Sequence, residues 1–133
     1  MIAHISEDGL NRKESVAEHT KKTVFLCGEK GRRCGLARVM ALCAIYHDMG
    51  KEKDSFSTYI LADEKVRRKL KGTISHASTG AKYIYERYHG SLGDVKGSAK
   101  IMVEMISYAI AAHHGMFDCV DADHNDIFSA KLN

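Results

Sequence analysis

Apolar residues recur at intervals of three and four along most of this chain, and no segment of strand length alternates convincingly, so the pattern predicts an all-α fold. Ser15, with Glu18 three residues on, has the spacing of a capping box and opens a first helix through "SVAEHTKKTVFLC". Val16, Thr20, Thr23, Val24 and Cys27 share one face of it. Gly28 is expected to stop this helix, with "GEKGRRCG" as the loop that follows. "LARVMALCAIYH" is apolar almost all round, which predicts a central helix covered on several sides and stopped at Gly50. A third helix starting near Asp54 or Ser55 would carry Phe56, Tyr59, Ile60, Val66 and Leu70 inward, with the basic "KVRRKLK" turned mostly to solvent. The fourth, in "SHASTGAKYIYERYH", has small residues at Ala77, Ser78, Gly80 and Ala81 that would let another backbone approach, and Gly90 ends it. The fifth is "AKIMVEMISYAIAAHH", closed by Gly115. The tail "MFDCVDADHNDIFSAKLN" gives no assignable element and reads as a stub.

Composition narrows the class without changing this picture. A chain of 133 residues, 44% hydrophobic, 28% charged and without proline, is that of one globular domain and not of a disordered segment. The net charge of +3 permits an anionic partner without requiring one. No apolar run reaches membrane-spanning length and the N-terminus lacks the order of a signal peptide, so a cytoplasmic protein with no membrane partner is expected. The four cysteines contain no CxxC pair and are read as thiols.

Histidine placement changes the picture more. His47 and Asp48 follow the second helix, His76 opens the fourth, His113 and His114 end the fifth, and His19 lies within the first. One histidine at a helix end is ordinarily a dipole partner or a half-buried core residue, and His4, His89 and His124 are read that way. Five histidines and an aspartate in the order H, HD, H, HH call for a different explanation. Imidazole and carboxylate are ligands for divalent metals, and a carboxylate such as Asp48 can bridge two of them, as in a two-metal hydrolytic centre.

The same order resembles the HD superfamily of metal-dependent phosphohydrolases. "IAHISEDG", "SVAEHT", "HDMGKEKDSFSTYI", "SHASTGA" and "IAAHHGMFD", in that sequence, resemble the HD nuclease domain of the type I CRISPR-associated interference nuclease-helicase, from about His4 to Asp118. The resemblance implies a helical HD bundle of about five or six helices with its metal site among helix ends. It also implies one or two divalent transition ions: Mn, Fe, Co or Ni in preference to Zn or Mg. His19, His47, Asp48, His76, His113 and His114 then correspond to metal ligands, with Asp48 bridging. Lys51 matches the family lysine that faces the scissile phosphate, which makes Asp48 and Lys51 the catalytic candidates. The implied partners are single-stranded DNA, in some members RNA, and the CRISPR helicase with its surveillance complex.

Two features depart from that pattern or stand beside it. HD sites of this kind take a last aspartate from a later helix; Asp121, Asp123 and Asp126 match no such motif and Asp118 fits the "HHG…D" ending, so residues 1–133 are expected to be an HD domain truncated at its C-terminus with an incomplete second site. "GEKGRRCG" and "KVRRKLK" could contact a nucleic-acid backbone or be solvated faces, and Tyr83, Tyr85 and Tyr88 could stack on bases or pack in the core. Two other functions stay open: hydrolysis of small nucleotides, and a non-catalytic helical docking module that a metal merely stabilises.

Overall fold

A computed structural model describes residues 1–6, 10, 12–70, 76–92, 97–115 and 119–132. Its helices are α1 (Val16–Arg32), α2 (Ala37–Tyr46), α3 (Asp54–Leu61), α4 (Glu64–Leu70), α5 (Ala77–Ile84), α6 (Gly97–Ala111) and α7 (Phe128–Leu132). The fold is helical, as the periodicity requires. One small antiparallel ribbon, β1 (Ile2–Ile5) with β2 (Lys13–Ser15), lies ahead of α1 and went unread in the sequence. Strands of four and three residues are too short to show an alternation. No described helix is long and apolar enough to cross a membrane.

Ser15 caps α1 as its spacing predicts: its Oγ accepts from the Glu18 amide, and Glu18 reaches back to the Ser15 amide. The face through Val16, Thr20, Thr23, Val24 and Cys27 turns inward, while Phe25 and Leu26 are exposed. Gly28 does not end the helix. α1 continues to Arg32 because Gly31 lets the start of α2 lie against it, where a Cβ would fall 2.7 Å from the Ala37 Cα. The stop is Gly35, at φ +75°, with the Leu36 amide donating back to the Gly31 carbonyl.

α2 is less enclosed than its composition suggests. α1 and α6 cover it in part, Ala44 is buried, and Ile45 stays exposed. Gly50 does not terminate the segment either; it lies within a 3-10 turn, Met49–Glu52, that carries the chain toward α3. The third predicted helix is two, parted at Ala62 and Asp63, with Phe56 buried and Val66 exposed. α5 runs on past Ile84 through a wide π turn, Tyr85–His89, and a 3-10 turn, Gly90–Leu92. Its small residues do what their size predicts. A Cβ on Gly80 would lie 1.9 Å from the Tyr46 carbonyl oxygen, and one on Gly50 would lie 2.3 Å from that of His76. The end of α2 and the start of α5 are thereby pressed together.

The core is Ala81 and Ile84 of α5, Ile106, Ile110 and Ala111 of α6, and Cys119. Cys119 anchors the tail, which is therefore a folded element and not a stub. Its carbonyl accepts from the Ile127 and Phe128 amides, and Phe128 packs against Tyr108.

Candidate metal centre

The chain ends of α2 and α6 are built alike. In each, a histidine just past the last turn donates from Nδ1 to the carbonyl three residues back: His47 to Ala44 at 2.8 Å and His113 to Ile110 at 2.7 Å. A carbonyl can only accept, so Nδ1 carries the proton and a neutral ring presents its Nε2 lone pair inward. The close approach through Gly50 and Gly80 brings His76 to the same point.

Asp48 lies at the centre, with 2% of its surface exposed. Its Oδ2 faces His19 Nε2 at 3.2 Å, His47 Nε2 at 3.1 Å and Lys51 Nζ at 2.8 Å. Its Oδ1 faces His76 Nε2 at 3.5 Å and His113 Nε2 at 3.7 Å. His114, at the solvent edge, approaches His76 with Nε2 to Nε2 at 2.7 Å, and His19 and His47 approach each other likewise at 3.3 Å. All six expected ligands therefore converge, as two sets that share one carboxylate: Asp48, His76, His113 and His114 on one side, His19, His47 and Asp48 on the other.

These residues fit a divalent cation on three grounds. Both Asp48 oxygens and His113 Nε2 are buried with no hydrogen-bond partner among the described residues, apart from the ion-pair contacts of Asp48. Buried polar atoms of this kind call for a partner. Second, ligands about 2.1 Å from one ion sit about 3.0 Å apart along an octahedral edge and about 3.4 Å apart in a tetrahedron, which the separations above bracket. Third, two of the histidines are held toward the neutral form a metal needs. Burial pulls the His76 imidazole down to about 4 despite the Asp48 charge, and burial lowers His113 as well. Burial works against His47 too, but Asp48 and the Ala44 carbonyl outweigh it and raise that ring. For Asp48, burial favours the acid form, yet His47 and Lys51 together hold the carboxyl well below the usual carboxylate range.

Lys51 is 3% exposed, so it is a buried charge of the centre and not a solvated lysine following a helix. His4 and Glu14 were not expected here. Glu14 Oε2 lies 3.1 Å from His19 Nδ1, and His4 Nε2 lies 3.2 Å from Lys51 Nζ. Burial and the neighbouring Lys51 lower the His4 imidazole. His89, read as background, pairs with Glu104 away from the centre, and His124 occupies a turn at φ +64°.

The tail aspartates contribute nothing to the cluster among the described residues. Asp121 accepts from the Asp123 and Asn125 amides, and Asp126 caps α7 through Phe128 and Ser129. Asp118 lies outside the described residues. Of the tyrosines, Tyr83 is exposed and stacks on Tyr46, Tyr88 is exposed, and Tyr85 stacks on His89. Arg68 of the basic α4 pairs with Glu64.

A family model described as the HD domain matches residues 16–128. No curated protein and no solved structure matches the chain significantly.

Proposed function

The chain belongs to the HD domain family of metal-dependent phosphohydrolases, and from that premise we propose that its centre cleaves phosphodiester bonds of single-stranded DNA, in the service of CRISPR interference. The observation that carries the hydrolytic part is Asp48, buried with an imidazole set on each oxygen. The nucleic-acid part is supported by the ordered motifs from "IAHISEDG" to "IAAHHGMFD" and by a buried lysine beside the carboxylate.

In this reading His76, His113, His114 and Asp48 would hold one transition ion, and His19, His47 and Asp48 would offer a second, incomplete set, with Mn, Fe, Co or Ni preferred by nitrogen and oxygen donors. Such ions supply Lewis acidity to the phosphate and lower the pKa of a water. The chain's own part is to fix that site and balance its charge. Asp48 stays ionised at neutral pH, as a ligand must. Lys51 keeps one positive charge on the Oδ2 side, where it offsets charge gathering on the phosphate oxygens during displacement. The partners that follow are a single strand of DNA and the helicase and surveillance complex of the interference machinery.

Hydrolysis of a single-stranded DNA oligonucleotide, with and without Mn, against the same assay on mononucleotides tests the proposal. Metal-dependent cleavage of the strand that disappears in Asp48→Ala is the expected result. Faster hydrolysis of mononucleotides would replace it with a small-nucleotide phosphohydrolase, and cleavage unchanged in Asp48→Ala would place the activity elsewhere.

A further inference from the structure

The HD match begins at residue 16, so the β1–β2 ribbon lies outside it, yet the ribbon reaches the centre twice. In the register of the two strands His4 stands opposite Glu14. Cross-strand partners leave a ribbon on the same face. The other face is closed down by Ala3, which is buried, and the ribbon is tied to α1 where the Val16 amide donates to the Met1 carbonyl at 3.1 Å. His4 and Glu14 are thus presented together by a short, anchored element.

Glu14 meets His19 by the nitrogen the centre does not use, and His4 meets Lys51 at the same Nζ that faces Asp48. Glu14 accepts from His19 at Nδ1, leaving His19 Nε2 for the Asp48 side, and its second oxygen takes Lys22 Nζ at 2.7 Å. His4 accepts from the Lys51 ammonium, and its ring sits edge-on to that of His19 with centroids 4.5 Å apart. A carboxylate on the far nitrogen of a ligating histidine fixes its tautomer and orientation and raises its basicity.

His4, Glu14 and His19 are also near enough to hold a cation of their own, but two facts argue against it. His19 would have to serve with both nitrogens at once. His4 Nε2 already faces an ammonium, which repels a second cation.

We propose that the N-terminal ribbon is a positioning element of the metal centre, in which Glu14 holds His19 as an Nε2 donor and His4 holds the ammonium of Lys51 beside Asp48. The inference rests on the reading of Asp48 and its histidines as a metal site. Glu14 and His4 act through other residues and touch neither ion nor substrate.

Titration of the full chain with Co(II), followed by calorimetry and by the visible absorption of the bound ion, tests it. In Glu14→Ala the affinity of at least one ion falls about 10- to 100-fold and the absorption band changes, because the His19 side is disordered. Glu14→Gln, whose amide oxygen still accepts from Nδ1, recovers part of the loss. Lys22→Ala, which removes the other partner of Glu14, leaves affinity and spectrum unchanged. In His4→Ala the ion affinity is unchanged while kcat for DNA cleavage falls and KM does not, and His4→Gln restores kcat. Wild-type affinity and spectrum in both Glu14 variants would overturn the inference and leave the metal centre standing. A wild-type chain that takes up no ion would overturn the metal reading, and the inference with it.

Discussion

A carboxylate buried as deeply as Asp48 is costly unless positive charge is close by, and Lys51 supplies it from three residues away. The same ammonium competes with a cation for Oδ2, so its removal separates binding from catalysis. Lys51→Met is expected to bind Mn as tightly as the native chain or more tightly, while cleavage slows by on the order of 100-fold. Calorimetry and single-turnover cleavage of one preparation check both halves; loss of Mn affinity would mean that Lys51 organises the ligands instead. Most of the centre was legible residue by residue, because helix ends are where a chain delivers side chains to a shared point, and His19, His47, Asp48, His76, His113 and His114 stand at such ends or on one helix face. His4 and Glu14 were not legible. His4 lies in the "IAHISEDG" motif but reads as an ordinary histidine, nothing local marks Glu14, and the place of both is set by a pairing across a loop and by contact with His19 and Lys51.

At the level of elements the decisive contacts are backbone against backbone. Gly80 against the Tyr46 carbonyl lies one residue from His47, so an added methyl group there must part α2 from α5 and draw His47 away from His76. Gly80→Ala is expected to lose about 1–3 kcal/mol of stability and to weaken Mn binding. Gly28→Ala is the matching control: nothing lies within 4 Å of the added Cβ and the site is in the interior of α1, so a gain of about 0.5–1 kcal/mol is expected with Mn affinity unchanged. Chemical denaturation with Mn titration distinguishes the pair. The two glycines also show why helix ends were harder to read than helices. A glycine can be a stop, as Gly35 is, or a point of close packing, as Gly31, Gly50 and Gly80 are, and the choice depends on which segment lies across from it. The inward face of α1 could be read from α1 alone.

At the scale of the molecule, ion binding and folding are one equilibrium, since the ligands meet only in the native chain. Mn at 100 times its Kd is expected to add about 2.7 kcal/mol and to raise Tm by on the order of 10 °C for a domain of this size. EDTA reverses the shift, and Asp48→Ala abolishes it; calorimetric melting of the two proteins with and without Mn is the measurement. The helical architecture follows from the apolar periodicity, whereas the fold of the tail depends on Cys119 reaching the α5–α6 core, a long-range contact that its polar sequence does not announce. The donors around Asp48 come from α1, the α2 end, the start of α5 and the α6 end, spread from residue 19 to residue 114. A chain emerging from its N-terminus therefore offers first a lone imidazole, then His47 and Asp48, and only after α6 the full set. Tight capture of an ion waits for the last of these, so uptake of metal during synthesis would distinguish finished, folded chains from those still being made.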